Sequence, residues 1–308
     1  MIYIILIMSK LGVDIARCAV KVFGRLPLKV HYFFADFVAW MACNVLRYRS
    51  DVVMINLARS FPEKKYGELV RIKKEFYRHF AEIFAEAVWF GASDYKRLNE
   101  SGIVEIVNPE VFNEYMASAE NTTLLFSHCG NWEILGGMLG YRTMNGVKLE
   151  VEEEQIKVVY KGLHSALANE FFLLNRVTPL ERVGKSCQIE ASMILRYALK
   201  HKDDRNLYIY IADQYPYRTP FDVGTFLNQP TNAMLGAAGV ACKLAHSVVY
   251  MKMKRVERGK YQMVFVPVCK DASEFTPEEI IRKYFDILEE EIRETPANWL
   301  WSHKRWKK

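Results

Sequence analysis

Short apolar runs that alternate with helical patterns constrain the fold of this chain more than any other feature. Six runs have the composition of buried β-strands, and the segments between them space their apolar residues as helices do. The predicted strands span 103–107, 122–127, 156–160, 207–212, 246–253 and 261–268, and the predicted helices span 132–144, 162–175, 186–201 and 232–245. This alternation predicts an α/β fold with a mostly parallel central sheet flanked by helices.

The N-terminal part of the chain carries most of the positive charge. The net charge is +6, and residues 1–60 contribute eight basic and three acidic residues to it. The same residues are rich in large apolar side chains, and a basic, apolar segment favours an anionic membrane surface over nucleic acid as its partner.

The apolar segments near the N-terminus are poor candidates for a membrane span. The opening run "MIYIILIM" is shorter than the roughly 20 residues that cross a bilayer, and it lacks the features of a signal peptide. The stretch 30–46 contains His31 and Asp36, so we interpret it as an interfacial helix, with a true span or a helix packed on the protein as alternatives. We therefore predict an N-terminal membrane-associating helical segment, 1–50, and one catalytic α/β domain, 51–308.

The six cysteines predict reduced thiols and no metal site. None forms a C-x-x-C pair, and no cysteine or histidine cluster has the spacing of zinc ligands. Cys129 lies beside His128, but adjacent side chains at a strand end point to opposite sides, which argues against a thiol nucleophile activated by that histidine.

Two histidines are followed five residues later by an acidic residue, and about one such pair is expected by chance. His31 and Asp36 lie within one predicted helix, where five residues place the side chains about 140° apart. His128 and Glu133 instead span a strand end, a turn and a helix start, for which Asn131 is the expected N-cap. We predict that His128 and Glu133 form a hydrogen bond at the carboxyl edge of the sheet, where open α/β sheets bind ligands.

A histidine held by a carboxylate can accept a proton from a hydroxyl group. The sequence has no G-x-S-x-G motif and no serine placed as a nucleophile, so the hydroxyl would belong to the substrate. The reaction indicated is direct attack on an activated acyl group without an acyl-enzyme. The neighbouring helix N-terminus would favour developing negative charge or a phosphate.

Several motifs resemble those of a known family. "HCGNWE" is similar to the H-x4-D/E motif of glycerolipid acyltransferases, and its surroundings resemble the lauroyl and myristoyl transferases of late lipid A biosynthesis. "NLARSFPE" precedes it, "VVYK" follows with Lys161 where that family has arginine, and Arg176 stands fifteen residues later. Asp213 and Gln214 lie in "ADQYPYRTPFDVGTFLNQPT", and the chain closes on "PANWLWSHKRWK". The resemblance covers residues 26–307.

This resemblance implies a role for each residue. His128 would be the general base for a hydroxyl on an acyl chain of a lipid A precursor, with Glu133 orienting it. Arg176 would hold phosphates and Asp213 would anchor it or a neighbouring loop, with a structural ion pair as the alternative for both. Lys161, Gln214 and Asn131 would support the substrate or the site.

The resemblance also implies partners and a location. The donor would be a thioester of acyl carrier protein, whose acidic surface suits a basic enzyme, and no metal or redox cofactor is implied. The enzyme would lie on the cytoplasmic face of the bacterial inner membrane, peripherally or through one N-terminal anchor. Three alternatives stay open: an acyltransferase of another membrane lipid (an aminolipid, glycolipid or pigment), a membrane-associated acyl-thioester hydrolase, and a scaffold without catalysis.

Overall fold

An eight-stranded sheet forms the centre of the protein. The computed structural model describes residues 2–162, 166–216 and 220–306. The strands of the sheet are β1 (Val104–Ile106), β2 (Thr122–Phe126), β3 (Arg142–Thr143), β4 (Ile156–Tyr160), β5 (Gln188–Glu190), β6 (Leu207–Ile211), β9 (Ser247–Glu257) and β10 (Lys260–Cys269). Their order is β3-β1-β10-β9-β2-β6-β4-β5, and every neighbouring pair is parallel except β9 with β10. The predicted α/β fold with a mostly parallel sheet is confirmed.

Helices surround the sheet, and a small hairpin adds to one side. The helices are α1 (Ile2–Phe23), α2 (Leu28–Trp40), α3 (Ser50–Ser60), α4 (Tyr66–Phe90), α5 (Tyr95–Ser101), α6 (Pro109–Ser118), α7 (Ala166–Arg176), α8 (Ile194–Lys200), α9 (Gly236–Lys243) and α10 (Pro277–Glu294). The hairpin consists of β7 (Phe221–Phe226) and β8 (Gln229–Ala233).

All six predicted strands are present, but the predicted helices fared less well. The segment 132–144 forms a 3₁₀ helix, Trp132–Gly140, rather than an α-helix. The segment 186–201 begins at the end of a 3₁₀ turn, continues as β5 and is α-helical only in α8, so that prediction was wrong over its first half. α9 begins at Gly236 because residues 232 and 233 pair within β8. The predicted helix 162–175 corresponds to α7, and residues 163–165 lie outside the described part of the chain.

The two faces of the sheet are both covered, which explains the near-continuous apolar character of its central strands. Every residue of β2 is buried. Leu125 packs into one hydrophobic core, while its neighbours Leu124 and Phe126 pack into the other, as the two-residue period of a strand requires. The carboxyl ends of β2 and β6 therefore emerge side by side between two packed layers.

The N-terminal helices pack against the domain. α1 contacts α7 and α4, and α2 lies along α4, where Ala35, Ala39 and Ala81 form a small apolar cluster. A π-helical turn, Met41–Val45, extends α2 and makes the helix about as long as the predicted 30–46 segment. No helix in the described residues is both long and apolar enough to cross a membrane.

Candidate active site

His128 and Asp213 meet at the carboxyl edge of the sheet. β2 and β6 are parallel neighbours, with Phe126 paired to Ile211, and each of the two polar residues lies two positions beyond that pair. The Nδ1–H of His128 donates a hydrogen bond to Asp213 Oδ1 at 2.6 Å, and the His128 backbone N–H donates to Oδ2 at 3.0 Å. Asp213 thus holds both the ring and the main chain of His128.

Asp213 is buried, with 2% of its surface exposed. Burial alone would raise the pKa of its carboxyl group, but the charge of His128 and the hydrogen bonds from His128 and Trp299 outweigh that cost and lower the pKa to about 2. The indole Nε1–H of Trp299 donates to Oδ2 at 2.8 Å. Asp213 is therefore a carboxylate at neutral pH and keeps the proton of the neutral imidazole on Nδ1.

The other ring nitrogen of His128 carries the lone pair. The side-chain amide of Gln214 donates a hydrogen bond to Nε2 at 3.1 Å. The His128 side chain is 14% exposed, and its ring meets Trp132 edge-on at 5.0 Å. If a substrate hydroxyl group displaced the Gln214 amide, it would donate its proton directly to Nε2 of His128.

The predicted hydrogen bond between Glu133 and His128 is absent, and that prediction was wrong. Glu133 is instead bound by Arg176. The guanidinium of Arg176 donates to both carboxylate oxygens, from Nε at 2.8 Å and from Nη2 at 2.7 Å. Trp132 Nε1–H also donates to Glu133 at 3.0 Å. The two carboxylates have therefore exchanged the partners assigned from the sequence: Asp213 holds the histidine, and Glu133 holds the arginine.

The turn between β2 and the 3₁₀ helix is held from several sides. Asn131 caps the helix, as predicted, because its Oδ1 accepts from the Glu133 N–H at 3.0 Å. Gly130 has a φ of +61°, and a Cβ there would lie 2.3 Å from the carbonyl oxygen of Met253. The Gly130 carbonyl accepts from Nε2 of buried His79 at 3.0 Å. Glycine is required here by both the backbone conformation and the space.

The remaining predicted residues have different environments. Lys161 is exposed directly after β4, so it lies at the same edge of the sheet as His128. Cys129 is buried, and burial raises the pKa of its thiol well above the ordinary value, which disfavours a thiolate nucleophile. In the ranges that the structure describes, no group of three or more histidine, cysteine or acidic side chains could hold a metal ion.

Two residues that support the site, Trp299 and Glu86, were not predicted from the sequence. Trp299 lies 86 residues after Asp213, and no local pattern in the sequence connects them. Glu86 accepts from the Asn131 amide at 2.6 Å, and no local pattern connects these residues because they lie 45 positions apart in the chain. The His128–Asp213 contact itself could have been inferred, since both residues follow predicted strands by a similar offset.

The fold and this site define an α/β protein with a carboxylate-bound histidine at the carboxyl edge of a parallel sheet. The chain matches the family model of the bacterial lipid A biosynthesis acyltransferases over residues 6–308 and therefore belongs to that family. It is an acyltransferase of lipid A biosynthesis, with an acyl donor and a lipid acceptor. A comparison with curated proteins finds no match.

Proposed function

We propose that the protein transfers an acyl chain from acyl carrier protein to a hydroxyl of a lipid A precursor, and that His128, held by Asp213, is the general base of this reaction. Nε2 removes the proton of the acceptor hydroxyl as its oxygen bonds to the thioester carbon. When the tetrahedral intermediate collapses, the carbon–sulfur bond breaks and the imidazolium returns the proton to the thiolate. The observation that carries this proposal is the bond from Nδ1 to a buried carboxylate, which leaves Nε2 as the basic atom.

Glu133 and Arg176 act in this proposal as a separate charged pair. The two hydrogen bonds from Glu133 fix the guanidinium, and the Arg176 side chain remains 32% exposed. The Phe172 ring lies 5.6 Å from it and limits its freedom further. A fixed, partly exposed guanidinium can bind a negatively charged group of either substrate. Glu133 is thus a positioning residue, and Lys161 adds positive charge at the same edge.

The N-terminal segment, residues 1–50, would bring the site to the cytoplasmic face of the bacterial inner membrane. Phe33, Phe37 and Trp40 of α2 are 74%, 59% and 55% exposed, and the basic residues of 1–60 are close to them in the chain. Exposed aromatic side chains beside basic ones are typical of helices that lie at an anionic lipid interface. We assign the remaining residues, 51–308, to the catalytic domain.

A transfer assay with purified enzyme tests the proposal. Acyl carrier thioesters and a tetra-acylated lipid A precursor should give acylated lipid with the native enzyme, and His128→Ala should lower kcat by at least about 10³-fold because the base is lost. His31→Gln is the matched control. His31 belongs to the other histidine–acid pair of the sequence, His31 and Asp36, which lies on α2. This variant should leave kcat unchanged.

The same assay separates the alternatives. Free fatty acid as the sole product, with or without acceptor, would identify a hydrolase. Transfer to an aminolipid, glycolipid or pigment but not to the lipid A precursor would keep the mechanism and change the acceptor. Full activity of His128→Ala would contradict the proposed mechanism.

A further inference from the structure

A pocket lies beside the candidate active site. It has a volume of about 430 Å³, and its walls include Arg59, Tyr215, Asn232, Arg305 and Trp306. Among the residues that the structure describes, two arginines and no acidic side chain line it. The pocket is therefore positively charged, which distinguishes it from a site for a neutral ligand.

The pocket is joined to the site by short contacts. Tyr215 directly follows Gln214, whose amide bonds His128 Nε2. On the other wall, the ring of Trp306 lies 5.8 Å from Trp299, and Trp299 bonds the carboxylate of Asp213. The walls of the pocket thus adjoin two residues, Gln214 and Trp299, that bond the His128–Asp213 pair.

Arg305 is the unusual residue of this pocket. It is 1% exposed, and its Nη2 donates to the carbonyl oxygen of Asn232 at 2.5 Å. Its Nε and Nη1 are buried and have no hydrogen-bond acceptor. Burial lowers the pKa of Arg305 to about 10, against the opposing charge of Asp213. A buried cation with two unsatisfied donor nitrogens is costly unless an acceptor is supplied.

We propose that this pocket binds a phosphate ester group of one of the two substrates. The inference rests on the proposed function, because it assigns the group to an acyl donor or a lipid acceptor. A guanidinium presents N–H donors that match phosphate oxygens, and a phosphate beside Arg305 would supply an acceptor for Nη1 without breaking the hydrogen bond from Nη2 to Asn232. Arg59, exposed on α3, adds a second positive charge at the same pocket.

Two phosphates are chemically suitable, and paired ligands distinguish them. The donor pair is an acyl-4′-phosphopantetheine thioester and the acyl-pantetheine thioester that lacks the phosphate. The acceptor pair is a phosphorylated lipid A precursor and its dephosphorylated form. Binding is measured by calorimetry on the His128→Ala protein, so that no turnover occurs and the result does not depend on acyl transfer being the reaction.

With native Arg305, loss of the phosphate should weaken binding of one pair by roughly 10- to 100-fold, the range for a hydrogen-bonded charge pair. Arg305→Gln should weaken the phosphorylated member by a similar factor and leave the other member unchanged. The pair that responds identifies the source of the phosphate. Equal weakening of both members, or no response in either pair, would overturn the proposal.

Two further variants guard against a purely structural effect. Arg59→Gln changes an exposed side chain and should weaken only the phosphorylated ligand, by about two- to fivefold; if Arg305→Gln fails to fold, the absence of this loss overturns the proposal. Arg282→Gln is the matched control. Arg305 lies over the ring of Phe285 at 5.5 Å, and Arg282 similarly lies over the ring of Phe221 at 5.0 Å and donates to a backbone carbonyl. It lies outside the pocket and should change neither affinity.

Discussion

At the scale of single residues, the site depends on which carboxylate reaches which cation. Glu133 is closer to His128 in the chain, yet Asp213 holds the ring, since β2 and β6 pair in a register that brings their ends together. Glu133 lies in the first turn of a 3₁₀ helix and faces Arg176 at the end of α7. Proximity in sequence was a weaker guide than the order and register of the strands.

Asp213→Asn should lower kcat by about 10²- to 10⁴-fold with a smaller change in KM. An asparagine can donate to Nδ1 and so favours the tautomer that carries its proton on Nε2, which cannot act as a base. Steady-state kinetics of Asp213→Asn and Glu133→Gln would test this. If the His128–Asp213 pair is the base, Glu133→Gln should mainly raise KM through Arg176; a larger loss of kcat in Glu133→Gln than in Asp213→Asn would contradict it.

At the scale of elements, glycines decide how the segment after His128 packs. The 3₁₀ helix Trp132–Gly140 contains Gly136, where a Cβ would lie 1.8 Å from the carbonyl oxygen of Arg176. Gly140 makes a similarly close approach to Tyr95 on α5. The end of α7 can therefore touch this helix, and that contact brings Arg176 within reach of Glu133.

Gly136→Ala should destabilise the protein by at least about 1–3 kcal/mol, because the added methyl group has no space without moving α7. It should also raise KM by displacing Arg176. Denaturant unfolding and kinetics measure the two effects. Gly239→Ala in α9 is the matched control, since no heavy atom of the described residues, apart from the adjoining backbone of α9 and the two chain neighbours, lies within 4 Å of its Cβ position. It should be neutral or stabilise by up to about 1 kcal/mol. Equal stability changes in both variants would rule out the steric explanation.

At the scale of the whole molecule, one buried carboxyl group connects the N-terminal helices to the site. Glu86 on α4 accepts hydrogen bonds from Tyr32 of α2 at 2.8 Å, from Tyr261 of β10 at 2.8 Å and from Asn131 at 2.6 Å. It is fully buried. The helix that carries the exposed aromatic residues and the turn that carries His128 therefore share one hydrogen-bonding partner.

Glu86 should also make stability depend on pH. Burial raises the pKa of its carboxyl group from 4.5 to about 7, although three hydrogen bonds oppose the shift. Between about pH 4.5 and pH 7 the unfolded chain has lost this proton while the folded protein keeps it, so the free energy of unfolding falls as pH rises. Relative to Glu86→Gln, the native protein should lose on the order of 3 kcal/mol across this window.

Denaturant unfolding of both proteins from pH 4 to pH 8 would measure this difference. Other buried acids with raised pKa values, such as Glu291, are present in both proteins and cancel in the comparison. Parallel stability curves for the two proteins would show that Glu86 does not titrate in this range.

The exposed face of α2 should control membrane binding. Phe33→Ser with Phe37→Ser removes two side chains that contribute little to the folded core, and each phenylalanine inserted into lipid contributes about 1–3 kcal/mol. The pair should weaken binding to vesicles that contain anionic phospholipid by at least about tenfold, measured by co-sedimentation. Leu199→Ser, on an exposed position of α8, should have no effect; unchanged binding of the double variant would remove α2 from the proposed interface.

The sequence by itself determined six strands of the central sheet and the position of His128 at the end of one of them. Alternating apolar patterns and helix caps depend on interactions between residues close in the chain. At the start of α10, for example, the Thr276 side chain accepts from the N–H of Glu279 three residues later. The same local character explains why Asn131 was correctly predicted as an N-cap. Packing on both sheet faces then follows, because strands without a polar face must be covered.

Only the tertiary structure decided the partners of the charged groups. The pairing of His128 with Asp213, of Glu133 with Arg176 and of Trp299 with Asp213 depends on strand order and on how α7 and the C-terminal segment pack. The short strands β3 and β5 likewise depend on a neighbouring edge to pair with. Hydrogen bonds between residues far apart in the chain leave no local pattern, because each partner is chosen by position in space.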